Sequence, residues 1–302
     1  FAQVSSMSQY PTIAEYEEVT GKEISELSEA PQLAELVERG DLPPVEERLP
    51  QEPAVVEPVE EIGEYGGTWR RAAISKSNII SPRMGYEPLV RWARDAKTII
   101  PNVAHSWKIT EDGTTYTFYL RKGMKWSDGE PFTADDIMFW YEDILLNENL
   151  TPVFPAWLAP GGVPAKVEKV DDYTVKFIFA SPYSLFLNYL AGPSGPGICS
   201  YPKHHLKQFH SKYASEEELT ALTKGAGFEF WYQLFEDRAD AYSNPDLPSL
   251  KPWIPKAKPG ASVVIAERNL YYWKIDTEGS QLPYIDRISF IMVEEPQMIT
   301  MK

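Results

Sequence analysis

Along residues 102–144 the pattern of apolar and polar positions changes period. Two runs rich in β-branched and aromatic residues, 107–110 and 115–121, flank Glu111-Asp112-Gly113, where glycine can take the positive φ of a tight turn; this predicts a β-hairpin. The alternation then gives way to a helical spacing in Ile137, Trp140, Tyr141 and Ile144. Thr133 suits the N-cap of that helix. Asp136, three residues on, makes a capping-box variant and puts acid at the positive end of the helix dipole. The polar loop Trp126-Ser127-Asp128-Gly129 joins hairpin to helix. Phe139 sits almost opposite the apolar stripe, so with Met138 it faces either a second packing layer or a ligand cleft.

The same reading extends over the rest of the chain. A second hairpin is predicted from 167–170 and 174–180, turning at Asp171-Asp172, and its return strand carries apolar residues on both faces, as a strand entering a sheet's interior does. Residues 184–190, 202–213 and 216–235 have helical patterns, the last interrupted at Gly225 and Gly227. Residues 151–164 and 244–253 read as loops, and 262–268 and 287–293 as strands. Residues 68–75 read as a buried strand ending in the polar run Ser75-Lys76-Ser77-Asn78. Ligands gather at the carboxyl ends of strands in open α/β sheets, so Ser75 and Asn78 are candidate pocket walls, against the alternative of an ordinary strand-to-helix loop. Residues 1–62 are acidic and punctuated by proline, with short helical patterns at 13–19 and 33–37. Proline at this density opposes regular structure and predicts an extended wrapper on the core or a disordered arm; Leu33, Leu36, Val37, Leu42, Val55 and Val56 favour docking.

Composition narrows the function classes. At 302 residues the chain can form more than one folding unit. A net charge of −15 leaves no basic stripe to neutralise phosphates, which argues against nucleic acid. The single cysteine, Cys199, cannot form an internal disulfide and leaves the compartment open. No apolar run reaches the ~20 residues of a membrane span, and the opening FAQVSSMSQYP has neither a basic nor an apolar signal region; a signal segment is expected to have been removed or left out, with a cytosolic protein as the alternative.

Residues 101–136 resemble a pattern of the extracellular solute-binding proteins that feed ABC importers, specifically the dipeptide, oligopeptide and nickel-binding class, bacterial solute-binding protein family 5. The matching positions are Pro101, Ala104, Ser106-Trp107, Asp112-Gly113, Tyr116, Phe118, Leu120-Arg121, Gly123, Trp126, Asp128-Gly129, Pro131, Thr133-Ala134 and Asp136. Arg268-Asn269-Leu270-Tyr271-Tyr272-Trp273 and the stretch from Gln281 to Arg287 resemble two further segments of the class, with Leu270 where proline is usual. The resemblance implies an α/β fold: a type II periplasmic-binding-protein-like lobe, a mixed sheet flanked by helices, with an inserted hairpin-rich subdomain. The division it implies is a proline-rich wrapper over 1–62, lobe I over 63–84 and 167–287, the inserted subdomain over 85–166, and over 288–302 the start of a crossover to a second lobe not present. It also implies a helix over 86–92 and places Lys251-Pro252-Trp253 beside the cleft. The function implied is non-covalent capture of an extracellular oligopeptide, or alternatively an oligosaccharide, and its delivery by a monomer to an ABC permease, in the periplasm or outside the cell, with lipid anchoring one mode of attachment. No cofactor is implied.

Catalytic signatures are missing from the sequence. Gly192-Pro193-Ser194-Gly195-Pro196 falls short of the nucleophile elbow G-x-S-x-G at its last position, and a Gly/Pro turn is the better reading. His204, His205 and His210 lack the i, i+4 spacing that puts two ligands on one helical face, so they read as a surface helix and no metal site is assigned. A hydrolase or adaptor reusing the fold would need a nucleophile and a base that the sequence does not suggest. The aromatic residues, 13% of the chain with nine Trp, are the more informative set. Trp107, Trp126, Trp140 and Trp273 read as core, while Phe139, Trp231, Trp253 and Tyr271 are candidate ligand contacts, because rings stack on sugars or enclose peptide side chains.

Overall fold

The computed structural model describes residues 8–74, 85–241, 244–256 and 261–299. Its largest core is built on the two predicted hairpins. Strands β6 (Ala104–Ile109) and β7 (Thr115–Leu120) turn at Gly113, φ 67°, where the Asp112 carboxylate accepts from the Thr114 amide and the Thr110 hydroxyl. Alternation along β7 sends Tyr116, Phe118 and Leu120 inward. The second hairpin, β8 (Lys166–Asp171) and β9 (Thr174–Ile178), joins the same antiparallel sheet in the order β6-β7-β9-β8, with Phe118 opposite Val175 and Tyr116 opposite Phe177. One sheet therefore spans the 166/167 division.

The helix after the polar loop starts at Thr133 with both halves of the capping box formed. It runs as α4 (Ala134–Met138) and widens into a π-helical stretch, Phe139–Leu145. Ile137, Trp140 and Ile144 are buried as the spacing predicts. The remaining helices are α5 (Phe186–Leu190), α6 (Lys203–Leu206), α7 (Glu216–Gly225) and α8 (Trp231–Ala239).

A second four-stranded sheet has the order β10-β11-β13-β3, where β3 is Thr68–Ala73, β10 Trp253–Pro255, β11 Val263–Arg268 and β13 Arg287–Met292. Strands β13 and β3 run parallel, Ile288 against Trp69, and so join segments more than 200 residues apart. The expectation of a buried first strand fails along most of β3. Thr68, Trp69 and Arg70 are exposed, because β3 is an end strand of this sheet among the described residues. The helix expected over 86–92 is also absent. Pro88 lacks the amide a helix interior needs, and Val90–Trp92 instead form β4, paired with β5 (Ile99–Pro101).

Described from residue 8, the N-terminal segment is a docked wrapper with more regular structure than its proline content suggests. It contains α1 (Ile13–Thr20), α2 (Pro31–Glu38), which has proline in its first turn where it is tolerated, and α3 (Val45–Arg48). Its strands β1 (Gln9–Tyr10) and β2 (Ala54–Val56) form a sheet with β12 (Lys274–Asp276), β2 running parallel to β12. Two fully buried arginines tether it. Arg48 bonds Pro43 O, Leu270 O, Gln281 Oε1 and Glu29, while Arg121 bonds Asn102 O, Pro11 O and Glu52 O with its guanidinium over Trp273.

Candidate ligand groove

The groove is assembled from three stretches of chain. Residues 85–92 lead into β4, Pro252 and Trp253 open β10, and Tyr272 together with residues 282–285 closes the far side. They line an open groove of about 670 Å³, within the size range of small-molecule sites. Gly85 allows the first two stretches to meet: its φ is +117°, and a Cβ there would lie 2.3 Å from the Pro252 ring. Trp253 is held by its indole Nε1, which donates to Ile285 O at 2.9 Å, and the Tyr86 hydroxyl donates to Ala191 O. Five of the twelve lining residues are aromatic: Tyr86, Trp92, Trp253, Tyr272 and Tyr284.

Behind one wall lies a closed polar network. The Glu87 carboxylate accepts from the Tyr272 hydroxyl (2.8 Å), from Asn102 Nδ2 (2.9 Å) and from Lys274 Nζ (3.0 Å), and Lys274 also donates to Asn102 Oδ1 (2.8 Å). Burial disfavours the ammonium charge and brings the Lys274 pKa down to about 7, against the pull of Glu87. Burial, with the Glu87 charge beside it, pushes the Tyr272 phenol well up. Glu87 and Tyr272 reach the groove, so the network fixes the Tyr272 ring that lines it.

The candidate residues are not gathered in one place. Trp253 lines the groove. Trp231 lines a separate cavity of about 450 Å³ between α7 and α8 and packs edge-on against His210, 4.9 Å between ring centres. Tyr271 lies under Gly129 and against the wrapper cluster of Ala30, Leu33 and Leu42, with Lys125 Nζ 5.8 Å from its ring. Phe139 is 1% exposed, in a second packing layer with Leu206, Phe235 and Leu247, so of the two surroundings open to it the structure chooses packing. Ser75 and Asn78 lie outside the described residues. Tyr86, Arg91, Trp92 and Tyr284 join the groove without having been singled out; aromatic residues next to Gly85, Pro252 and Pro283 were the only local sign of them.

His204 and His205 sit partly exposed on α6, in line with the surface-helix reading, and His210 departs from it. His204 pairs with Asp128 at 2.7 Å; burial opposes its charge but Asp128 outweighs it, and its pKa is raised. His210 is buried. Its Nε2 donates to Asp143 O (2.9 Å) and its Nδ1 accepts from the Lys212 amide (3.1 Å), an arrangement that holds the ring neutral, and burial lowers its pKa. Ser194 precedes a 3₁₀ turn, and burial pushes the Cys199 thiol up, away from the reactive thiolate. Among the described residues no three His, Cys, Asp or Glu side chains gather to hold a metal ion, and no helix is long and apolar enough to cross a membrane.

The mixed α/β architecture is that of solute-binding proteins. The sequence profile of the bacterial extracellular solute-binding proteins, family 5, middle region, matches residues 98–301. The chain belongs to this family. It is 32% identical over 275 residues to the periplasmic alpha-galactoside-binding protein of Rhizobium meliloti, covering 84% of this chain and 37% of the relative, and 35% identical over 119 residues to the dipeptide-binding protein of Escherichia coli, covering 35% of this chain and 22% of the relative. Its fold matches the oligopeptide-binding protein OppA with a TM-score of 0.89 and 45% identity, over 98% of this chain and 46% of OppA. It matches MelB of Agrobacterium fabrum, solved in complex with stachyose, with a TM-score of 0.71 and 31% identity, over 89% of this chain and 41% of MelB. The chain thus spans less than half the length of each of these proteins.

Proposed function

We propose that this chain forms one wall of a solute-binding site, that the protein captures an extracellular oligopeptide without breaking a bond, and that it delivers the solute to an ABC permease. The observation that carries the proposal is the aromatic groove of about 670 Å³ in a member of family 5. Residues 63–84 and 167–287 act as lobe I, 85–166 as the inserted subdomain, and 288–302 lead towards a second lobe that closes over the ligand, so that ligand shifts an open–closed equilibrium. The protein works as a monomer outside the cytoplasm, needs no cofactor and is not an enzyme. An oligosaccharide is the second reading, favoured by the likeness to the alpha-galactoside-binding protein over 84% of this chain.

Native mass spectrometry of the full-length protein, followed by denaturing release of whatever co-purifies, tests both. Short peptides support the first reading and hexose-spaced masses the second, whereas a co-purified ligand of neither class overturns both. Replacing Trp253 by Ala removes one ring and should weaken binding by about 2- to 10-fold in a calorimetric titration, since an aromatic contact is worth about 0.5–1.5 kcal/mol.

A further inference from the structure

Among the described residues, the groove holds a cation that makes no ion pair. Arg91 lines it from β4, and its guanidinium carbon lies 5.7 Å from the centre of the Tyr86 ring, which lines it too. The other charged side chain lining the groove, Glu87, is held from behind by Lys274, Asn102 and Tyr272, which all donate to its carboxylate. What the groove offers a ligand is therefore a guanidinium outside any ion pair among the described residues, set amid aromatic rings, in a chain whose net charge is −15. A half-buried guanidinium beside a ring has lost part of its hydration, and a planar carboxylate restores it through two parallel hydrogen bonds. A neutral ligand leaves that charge uncompensated.

We propose that the groove selects a solute bearing a carboxylate, which Arg91 binds at two points while the rest of the solute lies against Trp92 and Trp253. This rests on the solute-capture reading above and adds the chemical class of the ligand. Two sources supply such a group, the C-terminus or acidic side chain of a peptide and the acid group of a sugar acid, and the test separates them.

The full-length protein is titrated calorimetrically with four probes: a mixed-sequence tripeptide library with free C-termini, a C-terminally amidated library free of Asp and Glu, trigalacturonic acid, and stachyose. The expected result is that one acidic probe binds about 10- to 100-fold more tightly than its neutral counterpart, the range for hydrogen bonds to a charged group. Arg91→Gln should remove that preference and Arg91→Lys should keep part of it, both at a thermal midpoint near that of the parent, because the side chain is only half-buried. Which acidic probe binds identifies the source. If a neutral probe binds within about threefold of its acidic counterpart, or if Arg91→Gln keeps the preference, the proposal falls and solute capture stands. If none of the four binds saturably, both fall together.

Discussion

Lys274 is fully enclosed, yet its ammonium faces the Glu87 carboxylate at 3.0 Å and the side chain of Asn102 at 2.8 Å. Removing one partner of such a pair leaves the other charge buried and uncompensated, at a cost of about 3–5 kcal/mol. Lys274→Met should lower stability by that amount in urea denaturation, and the double change with Glu87→Gln should recover part of it. The pH dependence follows from the direction of the shift. Folding lowers the Lys274 pKa from 10.5 to about 7, so between those values the unfolded chain binds a proton that the folded chain does not, and stability rises with pH across the window. Below about pH 7 both states are protonated and this contribution flattens. Urea midpoints measured from pH 7 to 10 should climb in the parent protein, and the part due to Lys274 should vanish in Lys274→Met; an identical climb in both would contradict the assignment.

At the level of elements, α4 shows how much one local signal can fix. Thr133 and Asp136 close the capping box, and Asp136 also accepts the Lys203 amide at 2.9 Å, so the start of α4 is tied to the start of α6. Thr133→Ala should cost about 0.5–2 kcal/mol, as loss of an N-cap does. Asp136→Ala should cost more, because it also leaves a partly buried amide of another helix without its acceptor. Differential scanning calorimetry of the two variants gives the order. The His204–Asp128 pair ties the same loop to α6. Folding raises the His204 pKa, so the stability the pair adds is present below the ordinary histidine value of 6.5 and is lost as pH rises through the folded value. Thr133 and Asp136 were legible because their partners lie within a few residues. Lys203 and His204 were not, because their partners lie 67 and 76 residues away.

For the whole molecule, the N-terminal segment is an integral layer. Its β2 is paired to β12, and Arg48 joins it to Leu270 and Gln281. Arg48→Ala leaves Glu29 without its cation and several acceptors without their donor, a loss of about 3–5 kcal/mol. Limited proteolysis should then cut within residues 8–62 well before the rest of the chain. Equal resistance in the variant and the parent would mean that apolar docking through Tyr10, Leu33 and Val55 alone holds the layer.

From the sequence alone come the features whose causes are close in the chain: the hairpin at Gly113, the cap at Thr133, the strand alternation of 115–121 and the linear strings that mark family 5. Tertiary structure decided whatever depends on distant segments meeting. It exposed the first half of β3, buried His210, made 90–92 a strand, and sent Phe139 and Trp231 to one cluster around Phe235 and Tyr271 to another. It also brought Trp253 together with Tyr86, Arg91 and Tyr284. Backbone propensity and capping act over a few residues, so their outcome is written locally. A groove walled by residues 85–92, 252–253 and 282–285 exists only once long-range strand pairing has fixed where those segments lie, and no local pattern encodes which side chains will then face each other.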